Sequence, residues 1–506
     1  MNHWLTAPIL IPLLGGILQV FVGYAPLPLR RTLALATTAI LLASAIALLA
    51  LANDGSYRAY TLGNWAPPFG IVLVLDRLAA LMLVMTAVLA FCSHLYAINR
   101  VDETSRQFHS LYLFLLMGLN IAFLTGDLFN LFVAFEVLLI ASYGLLMHGK
   151  GTQRTVPGLH YVVLNLAGSA LFLISVGMIY SVTGTLNMAD LAIKVARVNP
   201  ADVPILQAGG MLLLVVFALK SAILPLCFWL PKAYASATAP VSAIFVVMTK
   251  VGVYAILRVY ILIFGAEAGA LANLGLDWLF PLALATLVMG VIGALGANNL
   301  KTLVTWQVLI SVGTLFAAIG LGNVAGVSGA LFYMVNTTWV TAGLFLVCDL
   351  VAGQRGCVGD KIVTAPRMHN RTLLSVLFLL GAVAAVGLPP LSGFFGKLLI
   401  LKAATPGPQM VWLWAVLLIG GFFTLIAYSR AGSIVFWRNS EGHVAQIERL
   451  TVPVTVSTGV LIAMSAAIVV LAGPFSAYAE ATARQLFDTG QYLEILHTPT
   501  IGSDTP

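Results

Sequence analysis

The chain has 506 residues, of which 60% are hydrophobic and only 8% are charged, with a formal net charge of +7 and a mean hydropathy of +1.01. This composition lies far outside the soluble globular range and predicts a polytopic membrane protein. The basic residues do not cluster with exposed aromatic residues, which excludes the charge pattern of a nucleic-acid-binding protein.

Apolar windows of about 20 residues, long enough to cross the hydrocarbon core, recur about 14 times along the chain. The segments between them are short, except for an expected extracytoplasmic hairpin around Trp65 and the stretch from Leu186 to Pro204. We therefore expect an all-α protein with a single transmembrane domain over residues 1–506. The first window, from Trp4 to about Val22, lacks a basic leader and a cleavage site and is interpreted as a retained span. The predicted spans centre near Leu13, Leu42, Val84, Leu116, Leu138, Phe172, Leu214, Val253, Val288, Ile310, Val340, Val386, Ile419 and Met464.

Charged residues interrupt several spans. Asp76 and Arg77 at the mouth of the third span are interpreted as a structural anchor. Glu136 lies about eight residues into the fifth span and Lys220 lies in the seventh, and we expect the two to pair. Such a pair predicts a protonation switch, whereas a static ion pair that joins two helices is the alternative.

Two further lysines lie inside later spans. Lys250 is about ten residues into the eighth span and Lys397 is in the twelfth; snorkelling to the surface and simple solvent access are the respective alternatives. Arg258, nearer the end of the eighth span, is interpreted as snorkelling. An ionisable side chain at the bilayer centre costs about 3 kcal/mol even on lenient scales, so these buried charges predict proton or cation movement along the membrane midplane.

The seventh and twelfth spans contain helix breakers. Pro225 and Pro231 interrupt the seventh span, and Pro389 and Pro390 interrupt the twelfth. Proline removes a backbone donor, and the carbonyl groups it frees are tolerated at membrane depth only inside protein or next to water. Because each breaker lies beside a lysine, the spacing predicts two inverted five-helix repeats with broken helices 7 and 12; incidental kinks are the alternative.

The repeats divide the domain into four parts. Residues 1–107 hold helices 1–3, residues 108–264 form the first repeat with helices 4–8, residues 274–437 form the second with helices 9–13, and residues 451–475 form helix 14.

The basic residues predict the orientation. An even number of spans places both termini on one side, and basic residues accumulate in cytoplasmic loops, which puts the termini outside the cytoplasm. The loops opposite the termini hold Arg30, Arg31, Arg100, Arg106, Lys150, Arg154, Lys232, Lys301, Arg355, Lys361, Arg367, Arg371, Arg438 and Arg449, and the termini side holds Arg58, Lys194, Arg197, Lys402 and Arg484.

Other residues predict little chemistry. The four cysteines show no CxxC spacing and have no histidine partners nearby, so we expect no metal and no cofactor. No nucleotide-binding or nucleophile motif occurs, which favours a transporter component over an enzyme. The eight histidines lie at segment ends, in loops or in the tail, and none predicts a proton wire.

Several strings in this order carry a family resemblance: FGIVLVLDRLAALM, GDLFNLFVAFEVLLIASYGLL, ALKSAILPLCFWLPKAYASATAPVSAIF, KVGVYAILR and GLPPLSGFFGKLLIL. From about Gly70 to Trp437 the chain resembles the antiporter-like subunits shared by respiratory complex I and the Mrp-type cation/proton antiporters. The opening MNHWLTAPILIPLL and the passage from SGFFGKLLIL to YSRAGSIVFW are most similar to the D-type subunits of the Mrp, or Pha, antiporters.

The resemblance implies roles for individual residues. Glu136 matches the counter-charge of the fifth helix, Lys220 the central protonatable lysine, Lys250 the relay lysine and Lys397 the terminal lysine. It also implies a hetero-oligomer with the other Mrp subunits, in a bacterial inner membrane, that exchanges sodium or potassium for protons.

Helix 11 departs from the family pattern. A histidine and, five residues later, a lysine are usual there, but this chain has Asn336 and Thr341. Neither side chain is protonated at physiological pH, so we expect water held by Asn336, Thr337 and Thr341 to carry the middle of the relay.

Two other functions remain open on the sequence alone. The chain is alternatively the proton-pumping membrane subunit of a complex I or membrane-bound hydrogenase assembly. A scaffold whose buried charges only hold spans together is the third possibility.

Overall fold

A computed structural model describes residues 2–65, 69–148, 154–438, 440 and 450–497. Two basic loop residues used for the orientation, Lys150 and Arg449, lie outside these described residues. The helices are α1 Ala7–Phe21, α2 Leu27–Ala52, α3 Arg77–Ala97, α4 Phe108–Leu124, α5 Leu128–Leu146, α6 Thr155–Thr183, α7 Met188–Ala196, α8 Val203–Ser221, α9 Trp229–Ser236, α10 Ala239–Leu262, α11 Leu276–Leu295, α12 Leu300–Ile319, α13 Val324–Arg355, α14 Arg371–Val386, α15 Ser392–Ala403, α16 Pro408–Gly432, α17 Val452–Val470, α18 Ala472–Phe487 and α19 Thr489–Leu493.

One short antiparallel hairpin accompanies the helices. Strand β1 Arg58–Thr61 pairs with β2 Val72–Leu75, with Arg58 opposite Leu75 and Thr61 opposite Val72. It directly precedes α3, in the stretch around Trp65 that the sequence places outside the membrane. The protein is otherwise built from helices over the described residues, as the sequence predicts.

The predicted spans correspond to helices in the same order. Twelve helices in the described part of the chain are long and apolar enough to cross a membrane. Two more apolar helices are shorter, α4 with 17 residues and α14 with 16. The chain is therefore a multi-pass membrane protein.

The helices differ strongly in how much neighbouring protein covers them. Helices α10 and α13 are buried along their whole spanning length, and α3 and α12 are mostly buried. Helices α1, α2 and α16 are mainly exposed and apolar, as expected of surfaces that face lipid. The spans that carry Lys250 and Asn336 are therefore shielded by other helices.

The predicted seventh span is interrupted. Helix α8 ends at Ser221, Ala222 takes a left-handed conformation with φ of 60°, and α9 begins at Trp229. Pro225 lies in this gap, whereas Pro231 lies in the first turn of α9, where a missing N–H breaks no helical hydrogen bond. Pro231 thus follows the interruption and does not form it. The backbone N–H of Leu224 in the gap donates to Thr286 Oγ1 at 2.9 Å.

The predicted twelfth span is interrupted in a similar way. Helix α14 ends at Val386, Gly387 has a left-handed φ of 85°, and α15 begins at Ser392. Pro389 and Pro390 both lie in the gap. The assignment of residues 108–264 and 274–437 as two inverted repeats stays a prediction.

Candidate functional site

Lys220 lies in the last turn of α8 with only 5% of its surface exposed. Its Nζ donates to the carbonyl oxygen of Asn165 at 3.3 Å and is 3.5 Å from both Asn165 Oδ1 and Ser169 Oγ. The ring of Phe135 lies below the ammonium, with its centroid 5.8 Å from Nζ. The negative end of the α8 dipole favours a cation at this position.

Glu136 does not form the predicted direct contact with Lys220. Among the described residues, no ion pair joins the two side chains, and Glu136 Oε1 is buried without a hydrogen-bond partner. The switch role of Glu136 stays a prediction, and Asn165 and Ser169 are the groups in contact with Lys220.

Lys250 lies in the middle of α10 and is fully buried. Its Nζ donates to Ser311 Oγ on α12 at 2.9 Å and is 3.4 Å from Thr249 Oγ1. Complete burial rules out the alternative that this side chain snorkels to the surface.

Lys397 lies on α15 and reaches back across the interruption of its span. Its Nζ donates to the carbonyl oxygen of Val386, the last residue of α14, at 2.6 Å. The close approach depends on Gly387, since a Cβ atom there would be 2.8 Å from Lys397 Cδ. The ammonium therefore satisfies a carbonyl group that the helix end leaves free.

Helix α12 connects the surroundings of Lys250 and Lys397. Gln307 lies four residues before Ser311 and so on the same face of the helix. Gln307 Nε2 donates to the carbonyl oxygen of Ala385 at 3.0 Å, one residue from the Val386 carbonyl that holds Lys397. One turn of α12 thus separates the contact of Lys250 with Ser311 from the contact of Gln307 with the second interruption, and no hydrogen bond among the described residues joins Ser311 to Gln307.

The three predicted water-holding residues on α13 are all buried. Asn336 Oδ1 accepts a hydrogen bond from Ser392 Oγ at 2.7 Å, and Ser392 Oγ is 2.8 Å from Ser465 Oγ on α17. Asn336 Nδ2 and Thr341 Oγ1 have no hydrogen-bond partner within the described residues. Buried polar atoms without protein partners are the usual lining of ordered-water sites.

The ion pair between Asp76 and Arg258 contradicts the interpretation that Arg258 snorkels to the surface. Arg258 is 3% exposed, and its guanidinium contacts both carboxylate oxygens of Asp76, at 2.7 and 2.8 Å. Arg258 therefore pairs inside the protein and does not snorkel. Asp76 also accepts from the backbone N–H of Ala79 and so caps α3, in line with the predicted anchor.

Sequence reasoning missed Asn165, Ser169, Ser311 and Gln307. Each is a small or neutral polar residue inside an apolar helix, a pattern that also occurs in helices without function. The proximity of Asn165 to a lysine 55 residues away becomes visible only in the fold.

A multi-pass helical protein with buried lysines beside interrupted helices belongs to the class of ion-translocating membrane proteins. The sequence model described as NADH:quinone oxidoreductase/Mrp antiporter, transmembrane, matches residues 125–426. A Rhizobium meliloti (strain 1021) protein, named as the D subunit of a probable K(+)/H(+) antiporter, is 40% identical over 538 aligned residues and covers 99% of both chains. The chain belongs to the family of NADH:quinone oxidoreductase and Mrp antiporter membrane subunits.

Two solved structures share the fold over nearly the whole chain. A chain of the Mrp complex from Dietzia sp. DQ12-45-1b matches with a TM-score of 0.87 at 25% identity, covering 98% of this chain and 100% of that one. A chain of the membrane-bound sulfane sulfur reductase, an archaeal respiratory membrane complex, matches with a TM-score of 0.88 at 26% identity and the same coverage.

Proposed function

We propose that the chain is the D-type subunit of a multisubunit monovalent cation/proton antiporter and that it carries proton translocation. The name of the Rhizobium meliloti relative, similar over its full length, and the likeness to an Mrp complex support this function. The observation that carries it is the set of buried ammonium groups at Lys220, Lys250 and Lys397, each hydrogen-bonded to polar groups of a neighbouring segment inside the membrane.

Protons move through changes in the protonation of these lysines. Burial disfavours the charge of an ammonium and a nearby carboxylate offsets this effect, so a movement of Glu136 controls how readily Lys220 releases its proton. Lys250 takes up the proton, and Ser311 and Gln307, one turn apart on α12, line the path toward Lys397. Water beside Asn336, Thr337 and Thr341 supplements this path on α13.

The other Mrp or Pha subunits are the expected partners of the chain in a bacterial inner membrane. The accumulation of basic residues in the loops opposite the termini supports an orientation with both termini outside the cytoplasm. Na+ and K+ are both retained as the transported cation, because the ammonium and hydroxyl groups of the site do not select one hard cation over the other.

A second function, the proton-pumping component of a redox-driven membrane complex, is supported by the likeness to the sulfane sulfur reductase chain. Purification of the assembled complex separates the two. Small membrane proteins of the Mrp type support the antiporter, whereas iron–sulfur or flavin subunits support the redox complex.

Everted membrane vesicles that hold the complete complex test the proposal. A quenched pH-sensitive dye should regain fluorescence when Na+ or K+ is added separately, and Lys220→Ala should abolish the response. Lys402→Ala is the matched control because Lys402 is exposed. A normal response from an assembled Lys220→Ala complex would favour the scaffold function instead.

A further inference from the structure

A second group of buried titratable side chains lies where α3 ends and α4 begins. His94 on α3 and His109 on α4 are both fully buried. His94 Nε2 and His109 Nδ1 are 2.8 Å apart, and His109 Nε2 is 3.4 Å from Asp102 Oδ2. The sequence predicts no proton wire among the histidines, because two residues on different helices show no sign of this contact.

Asp102 connects the histidine pair to the protein surface. Arg31 donates to both oxygens of Asp102, at 2.7 and 2.8 Å, and also reaches the exposed Glu103 at 3.2 Å. Burial opposes the charge of Asp102, but its hydrogen bonds with Arg31 and its contact with His109 outweigh that effect and hold the pKa of Asp102 below its ordinary value. Asp102 is therefore an ionised acceptor at one end of the chain of hydrogen bonds.

The contacts of the two rings indicate which of their nitrogen atoms carry a proton. The carboxylate of Asp102, 3.4 Å from His109 Nε2, favours the proton on that nitrogen, so His109 Nδ1 is the acceptor and His94 Nε2–H is the donor. His109 Nε2 itself makes no well-aligned hydrogen bond among the described residues. His94 Nδ1 is then an unprotonated nitrogen, and it is buried without a partner among the residues described. The chain of hydrogen bonds thus ends inside the protein in a vacant proton-accepting atom.

The remaining titratable and charged neighbours leave this arrangement intact. The Tyr112 ring lies 4.5 Å from the ring of His94, and the Tyr112 hydroxyl contacts Ser93 Oγ and the Ala90 carbonyl oxygen. His148, which follows α5, packs its ring against the ring of Phe108. Arg154, His109 and Asp102 are its titratable neighbours. Burial lowers the pKa of His148 and favours its neutral form.

These hydrogen-bonded groups lie near the end of α3, and the middle of α3 lies at the depth of Lys250. Helix α3 packs against α10, and the pairing of Asp76 with Arg258 shows that the start of α3 lies beside the end of α10. Thr86 lies ten residues after Asp76 and Lys250 eight residues before Arg258, which places both about 12–15 Å from that ion pair. The Thr86 hydroxyl is buried without a partner in the described part of the chain. It thus lies at the depth of Lys250, about 12 Å along α3 from His94.

We propose that His94, His109 and Asp102 form a proton-exchange site that connects the cytoplasmic face with the lysine relay. A proton arriving at His94 Nδ1 releases the Nε2 proton to His109 Nδ1. His109 then releases its Nε2 proton to Asp102, from which it leaves past Glu103 to solvent. Both rings now carry their protons on Nδ1, and proton movement in the opposite direction restores the starting state. This inference rests on the proposed function of the chain.

A metal site at the same residues is not supported. The two rings contact each other and not a common point, and no group of three or more histidine, cysteine or acidic residues in the described ranges is arranged to hold an ion.

The decisive variant is His94→Gln in the complete complex, because a glutamine amide keeps a donor near the Nε2 position but does not titrate. We expect antiport in everted vesicles to slow by at least about tenfold, the low end of what a positioned proton carrier contributes. The dependence of the antiport rate on pH should also flatten, because the variant no longer exchanges protons with solvent through these rings. His160→Gln is the control, since His160 is exposed, and it should retain the wild-type rate and pH profile.

A purely structural role would give a different result, with less assembled complex but an unchanged pH profile per complex. His109→Asn, which keeps an amide at the Nδ1 position, replaces His94→Gln if the latter fails to assemble. Wild-type rates at every pH in the assembled variant would overturn the relay. A wild-type complex without cation-dependent dequenching would instead contradict the proposed function itself.

Discussion

At the scale of single residues, the three lysines differ in how tightly their ammonium groups are held. Lys220 makes contacts of 3.3–3.5 Å, near the outer limit for a hydrogen bond. Lys250 and Lys397 make shorter bonds of 2.9 and 2.6 Å. Lys220 therefore loses the weakest hydrogen bonds of the three lysines when its ammonium changes partner, which fits its proposed role as the central switching group.

The hydroxyl group of Ser311 is expected to matter for both stability and transport. Ser311→Ala removes the shortest contact of the buried Lys250 ammonium, and a hydrogen bond to a charged group contributes about 1.5–3 kcal/mol. Thermal unfolding of the purified complex should show that the free energy of unfolding falls by this amount. Dye dequenching should show slower antiport.

Ser181→Ala provides the comparison for Ser311. Ser181 is exposed, and its hydroxyl donates to the carbonyl oxygen of Met178 on its own helix at 2.7 Å. Ser181→Ala should change neither the stability of the complex nor the antiport rate. A Ser311→Ala complex with wild-type stability and antiport rate would contradict a role of Ser311 in the relay.

The sequence alone allows the candidate lysines to be selected but not their contacts. Lys220, Lys250 and Lys397 stand out because a charge within an apolar span is costly. Ser311 and Asn165 do not stand out, since small polar side chains satisfy themselves on their own helix in many spans. The pairing of Glu136 with Lys220 is expected from charge alone, but contact also depends on helix rotation, which the sequence pattern does not determine.

At the scale of helical elements, both interrupted spans bring an ammonium to the C-terminal end of a half-helix. Lys220 belongs to the last turn of α8, and Lys397 reaches the last carbonyl of α14 from the following half-helix. The negative end of a helix dipole stabilises a cation by up to about 2 kcal/mol in partly buried positions. The interruptions therefore provide electrostatic support for a charge where no carboxylate of the described residues makes contact.

Gly387 is the backbone position on which the second interruption depends. Gly387→Ala places a side chain at a φ of 85°, which costs about 1–2 kcal/mol, and its Cβ would press on Lys397 Cδ at 2.8 Å. We expect a lower melting temperature of the complex and slower antiport.

Gly421→Ala is the matched control for that substitution. Gly421 lies within α16, and none of the described atoms is close to the position that an alanine methyl group would take there. Alanine should therefore leave transport unchanged and favour the helix by up to about 1 kcal/mol. Equal behaviour of the two variants would show that Gly387 does not position Lys397.

The elements are largely predictable because apolar windows and prolines mark them directly. The order of the spans follows from apolar windows of about 20 residues. The two interruptions follow from Pro225, Pro389 and Pro390. Pro231 is wrongly predicted as a breaker because a proline in the first turn of a helix has the same sequence appearance as one that breaks it.

At the scale of the whole molecule, helix α18 near the C-terminus forms hydrogen bonds with the start of α3 and the segment before it. Gln485 on α18 donates to the carbonyl oxygen of Gly55 at 2.8 Å and accepts from the backbone N–H of Arg77 at 3.2 Å. The Tyr478 hydroxyl donates to the Arg77 carbonyl oxygen at 2.9 Å. The Asp76–Arg258 pair lies next to these contacts in the chain and joins α3 to α10.

Removing one partner of that pair should destabilise the fold. Asp76→Asn leaves the buried guanidinium of Arg258 without its counter-charge, and loss of one partner of a buried ion pair typically costs about 3–5 kcal/mol. The measurement is thermal unfolding of the complex together with the amount of the protein in the membrane.

Glu480→Gln is the control for Asp76→Asn. It breaks an exposed pair with Arg484, and such pairs contribute at most about 1 kcal/mol. A melting temperature of the Asp76→Asn complex equal to that of the control would contradict the anchoring role of Asp76.

The clamp between Asp76 and Arg258 has a mechanical consequence. Helix α10 carries Lys250 and is also tied by Arg258, so sliding or turning it would separate a buried ion pair at a cost of about 3–5 kcal/mol. We therefore expect the backbone of α10 to keep its position during transport. Proton movement past Lys250 would then depend on changes of side-chain rotamers and on rearrangement of water.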